Sequence, residues 1–218
     1  VRVSRQPPLA CDLRLEATAD PRAVEELTRE AFWDVHVPGC DEHYLVHLMR
    51  DHADFVPALS LVAVLDGRLV GNIMTTRNRL RAGARELAAL TVGPVTVHPD
   101  VQRRSIGRAL IERVAELGRA QGYAAIVLQG HPHNYVGYGF RNARDLGIVA
   151  ADGSSPFGLL ALELTPGALA RETWTTHFSE VFEPSPGLEA FDATFPPRAK
   201  GWRPSQELFS MSIRARLG

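Results

Sequence analysis

Three arginines crowd the point where a strand gives way to a helix, a pattern suited to holding an anion. The stretch from Val95 to Gly107 reads VTVHPDVQRRSIG. Val95 and Val97 alternate with Thr96 as in a strand, and Pro99 ends the ladder. Ile106, Leu110, Val114 and Leu117 then recur at helical spacing until Gly122. Arg103, Arg104 and Arg108 therefore stand at a helix start, where the dipole is already positive and backbone N–H groups lack partners. Something negative is expected there, and a diphosphate suits both the N–H groups and the guanidinium groups. A basic turn before a helix is also often simply solvated, so the surrounding elements have to decide.

Composition narrows the classes. The chain has 218 residues, a formal net charge of −1 and 45% hydrophobic residues, enough to bury a core in one domain. With no overall basic balance, the arginines are a local feature and nucleic acid is not an expected partner. Cys11 and Cys40 are too few for a disulfide framework, and no apolar run approaches a membrane span or a signal-peptide core. A cytoplasmic protein without a membrane partner is the expectation. His131 and His133 lie one apart and His98 follows the strand, which are zinc-ligand types. No cysteine or acidic cluster completes a site, so no metal is expected, and His131-Pro132 more simply ends a strand and opens a helix.

The elements that position the loop follow from the pattern. Residues 1–12 carry two prolines without periodicity and read as a mobile leader. A first strand spans Leu13 to Ala17. Asp20-Pro21 reads as a cap and first helical residue ahead of an apolar face of Val24, Leu27, Ala31 and Phe32. Asp41 reads as the cap of a second helix carrying Tyr44, Leu45, Leu48 and Met49. Leu59 to Leu65 and Leu69 to Thr76 flank Asp66-Gly67, the turn chemistry of a hairpin. Ala89 to Val97 is the next strand, and Gly93-Pro94 must interrupt its pairing with a bulge or kink. Strands at Tyr123–Leu128, Leu146–Ala150 and Leu159–Leu164 complete the pattern, with a short helix near Asn134.

In this order of elements, in the strand VTV, the loop QRRSIG and the phrase GHPHNYVGYGF from Gly130 to Phe140, the chain resembles the GNAT superfamily of acetyl-CoA-dependent N-acetyltransferases. The resemblance covers residues 13–165, and the GHP…YGF phrase together with a C-terminal SQ..F tail is similar to a bacterial subgroup. It implies an α+β fold: a mixed, mostly antiparallel sheet of about seven strands flanked by helices. It also implies acetyl-CoA as co-substrate, bound by the backbone of Val95, Thr96 and Val97 and by the loop Gln102, Arg103, Arg104, Ser105, Ile106, Gly107 and Arg108. The family loop is written Q/R-x-x-G-x-G/A, and Ser105 stands where its first glycine belongs. If the turn requires positive φ at Ser105, acetyl-CoA binding should suffer; if not, the hydroxyl can donate to a phosphate.

The resemblance further implies a function: direct transfer of the acetyl group to a primary amine, on a small molecule or a peptide. By that likeness Tyr135, several residues before Gly139-Phe140, is the general acid for the departing thiolate. The alternative for Tyr135 and Tyr138 is plain packing. The strand LTVGPVTV has no carboxylate to act as base, while Glu42 and His43 lie on the helix that borders the acceptor in the family. Glu42 is the candidate base, Glu42 and His43 are candidate substrate contacts, and Asp34, Asp41 and Glu42 suit a cationic amine. A non-catalytic acyl-CoA binding or sensing protein is the alternative, supported by Ser105 and the absent strand carboxylate. Residues 166–218 form an extension rich in Trp and Phe, with a helix starting near Ser205, expected to pack on the core, over the cleft or across a homodimer.

Overall fold

The computed structural model describes residues 9–217. Leu65 pairs with Arg68 across Asp66 and Gly67 (φ 50° and 77°), the left-handed pair that a tight hairpin needs. This hairpin joins β2 (Leu61–Leu65) to β3 (Arg68–Ala82), the longest strand. Antiparallel pairing continues on one side to β1 (Asp12–Leu15) and on the other to β4 (Arg85–Val97). β5 (Ala125–Gln129) lies parallel to β4, and β8 (Leu159–Glu163) returns antiparallel beside β5.

Three short strands complete a sheet of nine among the described residues, rather than about seven. β6 (Arg141–Asn142) pairs with β8, while β7 (Ile148–Val149) pairs with β9 (Trp174–His177). β9 in turn pairs with β3 from Arg79 to Arg81. The boundary drawn at residue 165 thus cuts through one sheet. At the other end, residues 1–8 of the expected leader lie outside the described residues. Leu9 donates its N–H to Arg104 O, and Leu9 and Cys11 pack on the core, so the described part of that segment is held.

Side-chain alternation on β3 sends Ile73 to one face and Met74 to the other. Ile73 joins Leu90, Val92 and Ile126 beneath α3 (Ile106–Ala120), whose Ile106, Leu110, Ile111 and Val114 form its buried stripe. Met74 meets α1 (Pro21–Phe32) and α2 (Glu42–Met49) through Val24, Val46 and Met49. Each of these fully buried side chains contributes roughly 1.5–3 kcal/mol. The helix starts differ from expectation. Neither Asp20 nor Asp41 caps with its side chain; Asp20 instead accepts from Arg14 and from the Ala17 N–H.

The C-terminal extension lies against α1 and α2. Tyr44 donates to Pro186 O, and α5 (Leu188–Asp192) brings Phe191 and Asp192 onto α2. Trp33 Nε1 donates to Ala199 O, Gly201 N donates to Asp34 Oδ1, and Gln206 of α6 (Pro204–Arg214) donates to Asp34 O. The far end of α6 is tied down as well: Leu217 N donates to Ser155 O and Phe157 N to Ala215 O.

His43 is fully enclosed here, between Phe191 and Phe195, with Nε2 3.2 Å from Asp192 Oδ1. Burial pushes its imidazole down to about 4, against the pull of Asp192. The unfolded chain therefore binds a proton that the folded one refuses between pH 6.5 and about 4, so this residue destabilises the fold as pH falls through that window. Asp41, raised to about 6, works in the opposite direction. We expect chemical denaturation of His43→Phe beside the parent to isolate the first effect, as a difference growing by up to roughly 3 kcal/mol toward pH 4. Parallel stability curves would show that His43 is protonated without cost.

Candidate active site

Antiparallel register holds from Gly71↔Val97 to Ile73↔Val95, then resumes one residue out of step at Thr75↔Val92. Gly93 and Pro94 together face Met74, which is a β-bulge on β4 at the expected place. Gly93 has φ +142°, open to glycine, and the Gly93–Pro94 bond is cis. On its other side β4 meets β5 only at Leu90↔Ile126. Past that position the strands part, and among the described residues no strand pairs with Val95, Thr96 or Val97 on the β5 side. Their side chains are spoken for: Val95 and Val97 pack on the core beside α3, and Thr96 Oγ1 lies 3.3 Å from Thr28 on α1.

The strand runs directly into the basic loop. Gln102 Nε2 donates to Val97 O and so fastens the loop to the strand end. Arg103 and Ser105 both take left-handed backbone, φ 60° and 67°. α3 begins without a side-chain cap and with no acidic residue in its first turn, which leaves the N–H groups of its first turn turned outward. Ile106 is buried and anchors that turn, its Cγ2 3.0 Å from where a Gly71 Cβ would stand. Gly107 has ordinary backbone, and a Cβ there would meet only Val97 at 3.6 Å.

The turn thus requires positive φ at Ser105. A left-handed non-glycine residue costs about 1 kcal/mol. Ser105→Gly should raise Tm by roughly 2–4 °C, less what glycine adds to unfolded-chain entropy, and should tighten the binding of any diphosphate that this turn holds. Thermal melts with and without the ligand check this; a lower Tm would mean that the hydroxyl stabilises the turn more than its backbone strains it.

Arg108 departs from the loop. It donates to Gly137 O at 2.8 Å and lies over the Tyr138 ring, 5.2 Å from its centroid. It links α3 to the turn after α4 (Pro132–Tyr135), so it shapes the wall rather than reaching for the anion. Tyr135 packs edge-on against Phe140, and its ring fills the space a side chain at Gly130 would need, 2.7 Å from that Cβ position. Gly130 directly follows β5, so the phenol stands at the end of the strand that parts from β4. Burial, then Tyr138, pushes its pKa up to about 12, so it keeps its proton throughout the neutral range.

A second cluster forms where α1 hands over to α2. His36 Nδ1 lies 2.5 Å from Glu42 Oε1, and Cys40 Sγ donates to Glu42 Oε2. Burial works to raise the Glu42 carboxyl, but the hydrogen bond and charge of His36 outweigh it and hold the group below its ordinary value. Asp41 beside it is open to solvent yet crowded by protein; burial and the Glu42 charge push it up to about 6. Phe209 of α6 stacks on His36 at 4.1 Å. The sequence indicated Glu42 but gave no sign of His36 or Phe209, which meet it only through the fold. Asp34 is buried as a bracket for Gly39 and Gly201, and His43 is sealed beneath the extension, so neither can touch a substrate.

A bulged strand parting from its neighbour and feeding an uncapped, arginine-bearing helix start defines a class. The profile described as Acetyltransferase (GNAT) family matches residues 24–141, more than half of the chain, and the chain belongs to that family. Among curated proteins it is 32% identical over 84 residues to the uncharacterized N-acetyltransferase YjhQ of Escherichia coli K12, spanning 38% of this chain and 46% of that one. The chain thus spans about half the length of that relative. Among solved structures, the E. coli GNAT protein YhbS in complex with CoA shares the fold with a TM-score of 0.70 at 23% identity, over 82% of this chain and 95% of that one. A Brucella melitensis GNAT acetyltransferase in complex with acetyl-CoA gives 0.63 at 24% identity, over 80% and 99%. The fold is therefore α+β, that of the GNAT acyl-CoA N-acyltransferases.

Proposed function

We propose that this protein is an acyltransferase that moves the acetyl group of acetyl-CoA directly to a primary amine. The observation that carries the reading is the continuity of the parted β4 backbone with the open start of α3. One extended ligand can lay its amide arm along Val95–Val97 and its diphosphate on the N–H groups and arginines beyond. The neighbours that share this fold were solved with CoA and with acetyl-CoA, which supports that ligand for this chain.

Transfer needs a neutral amine, a polarised thioester and a proton for the leaving thiolate. A backbone N–H at the bulge suits the developing oxyanion, and Tyr135 at the end of β5 suits the thiolate. Of the two carboxyls, Glu42 is occupied by His36 and Cys40, whereas Asp41 is open to solvent, is pushed up to about 6 and is the better proton acceptor at neutral pH. Together the pair favours a cationic amine. Metal is not part of the reading.

The test is calorimetric titration with acetyl-CoA followed by thiol release across a panel of small amines, polyamines, aminoglycosides and peptides. Saturable binding with amine-dependent release supports the enzyme. Binding without release from any amine would favour the second reading, a GNAT-fold protein that holds acyl-CoA as a ligand, for which the strained Ser105 and the carboxylate-free β4 speak.

A further inference from the structure

The 24 Lys and Arg residues of this chain include a single lysine, Lys200. A guanidinium stays protonated and is no nucleophile, so among the side-chain cations only Lys200 can accept an acetyl group. Its setting suits that role. The backbone is clamped on both sides: the Ala199 carbonyl accepts from Trp33 Nε1 and the Gly201 N–H donates to Asp34 Oδ1. The side chain is loosely held. It is 49% exposed, its methylenes lie on Gly39, and its ammonium is 3.8 Å from Asp192 Oδ2. Arg29 already donates to that carboxylate at 2.8 Å, so the lysine charge adds little at this distance and exposure.

The clamp also lies at the correct end of α1. Ala23, Glu26 and Leu27 border one cleft with Leu69 and His98, and Thr28 meets Thr96, so α1 runs back along β4 from its C-terminal end. By helix rise Trp33 is about 7 Å beyond Thr28 along α1, and by strand rise Pro94 is about 7 Å back from Thr96 along β4. The Lys200 backbone is therefore fixed to the end of α1 that lies toward the bulge rather than toward the basic loop.

We propose that Lys200 is a self-acetylation site of this protein, an inference that rests on the acetyl-CoA reading above. The ammonium loses its proton to solvent and the amine nitrogen attacks the thioester carbonyl. A C–N bond forms, the C–S bond breaks, and CoA leaves as the thiol after taking up a proton. The product amide can no longer pair with Asp192, so the segment from Phe195 to Gly201 keeps its backbone clamps but loses one charge contact.

The experiment is intact-mass spectrometry with peptide mapping of the full chain incubated with acetyl-CoA near neutral pH. Parent protein is compared with Lys200→Arg, which keeps the charge, and with Tyr135→Phe; calorimetry on each measures acetyl-CoA binding separately. The expected result is a gain of one acetyl group on Lys200, absent in Lys200→Arg and slowed at least about tenfold in Tyr135→Phe. Binding without any mass gain would overturn self-acetylation and leave the acetyl-CoA reading intact. Label on the amino terminus instead, or label on Lys200 at the same rate in Tyr135→Phe, would show a spontaneous reaction and overturn it too. Absence of binding would remove the acetyl-CoA reading itself, and this inference with it.

Discussion

Tyr135→Phe should lower kcat for amine acetylation by about 10²-fold or more while leaving acetyl-CoA affinity within about twofold of the parent. The substitution removes one oxygen and keeps the ring that occupies the Gly130 space and packs on Phe140, so the wall is preserved. What disappears is a proton held, with a pKa of about 12, at the end of β5. A thiolate leaving without a donor must take its proton from water, and the loss should grow toward higher pH, where solvent protons are scarcer while the phenol stays protonated. Steady-state kinetics from pH 6 to 9, with calorimetry alongside, separates the two effects. An unchanged kcat would reduce Tyr135 to a packing aromatic, and a matching loss of acetyl-CoA affinity would make it part of the binding wall.

The second large effect is on affinity. Removing both guanidinium groups in Arg103→Ala/Arg104→Ala should weaken acetyl-CoA binding by about 10²-fold, since each hydrogen bond to a charged group contributes roughly 1.5–3 kcal/mol and the two share one partner. The remaining affinity would come from the N–H groups at the start of α3, which the substitutions leave in place. Arg119→Ala, at the opposite end of the same helix, should change nothing and serves as the control. The loss should shrink as salt is raised, because the interaction removed is one between charges. Equal affinity of parent and double variant would move the diphosphate away from this loop.

The parts of the site that could be read from the sequence are those that chain order builds locally. Strand, loop and helix from Val95 to Ala120 are consecutive, so alternation, the Gly93-Pro94 break and the 3.6-residue period located them with little help. Ser105 could be singled out as a problem, but its sign needed the backbone, because only a φ of 67° converts a mild substitution into a strained one. His43 illustrates the opposite case. On the sequence it sits beside Glu42 and shares its candidate role; in the fold it is covered by Phe191 and Phe195 from far along the chain. Many aromatics after Pro166 suggested that the tail must pack somewhere, yet nothing local says that its target is α2. The short strands β6 and β9 were missed for a related reason: two and four residues carry too little periodicity, and their pairing partners define them.

The pairing of β9 with Arg79–Arg81 has a meaning for how this chain is kept from joining its neighbours. On the same side of β3, β2 reaches as far as Ile73 and residues 54–56 pair with Thr75 to Arg77, so Arg79 to Arg81 would otherwise offer bare N–H and C=O groups to any passing chain. β9 closes that stretch of the edge, with Trp174 buried. A fragment ending at Glu163 would contain every residue proposed for chemistry except the self-modified lysine, yet it would carry an open β-edge and an uncovered apolar face. Such a fragment would expose both to other chains, and the residues after Glu163 act in part as a guard over them.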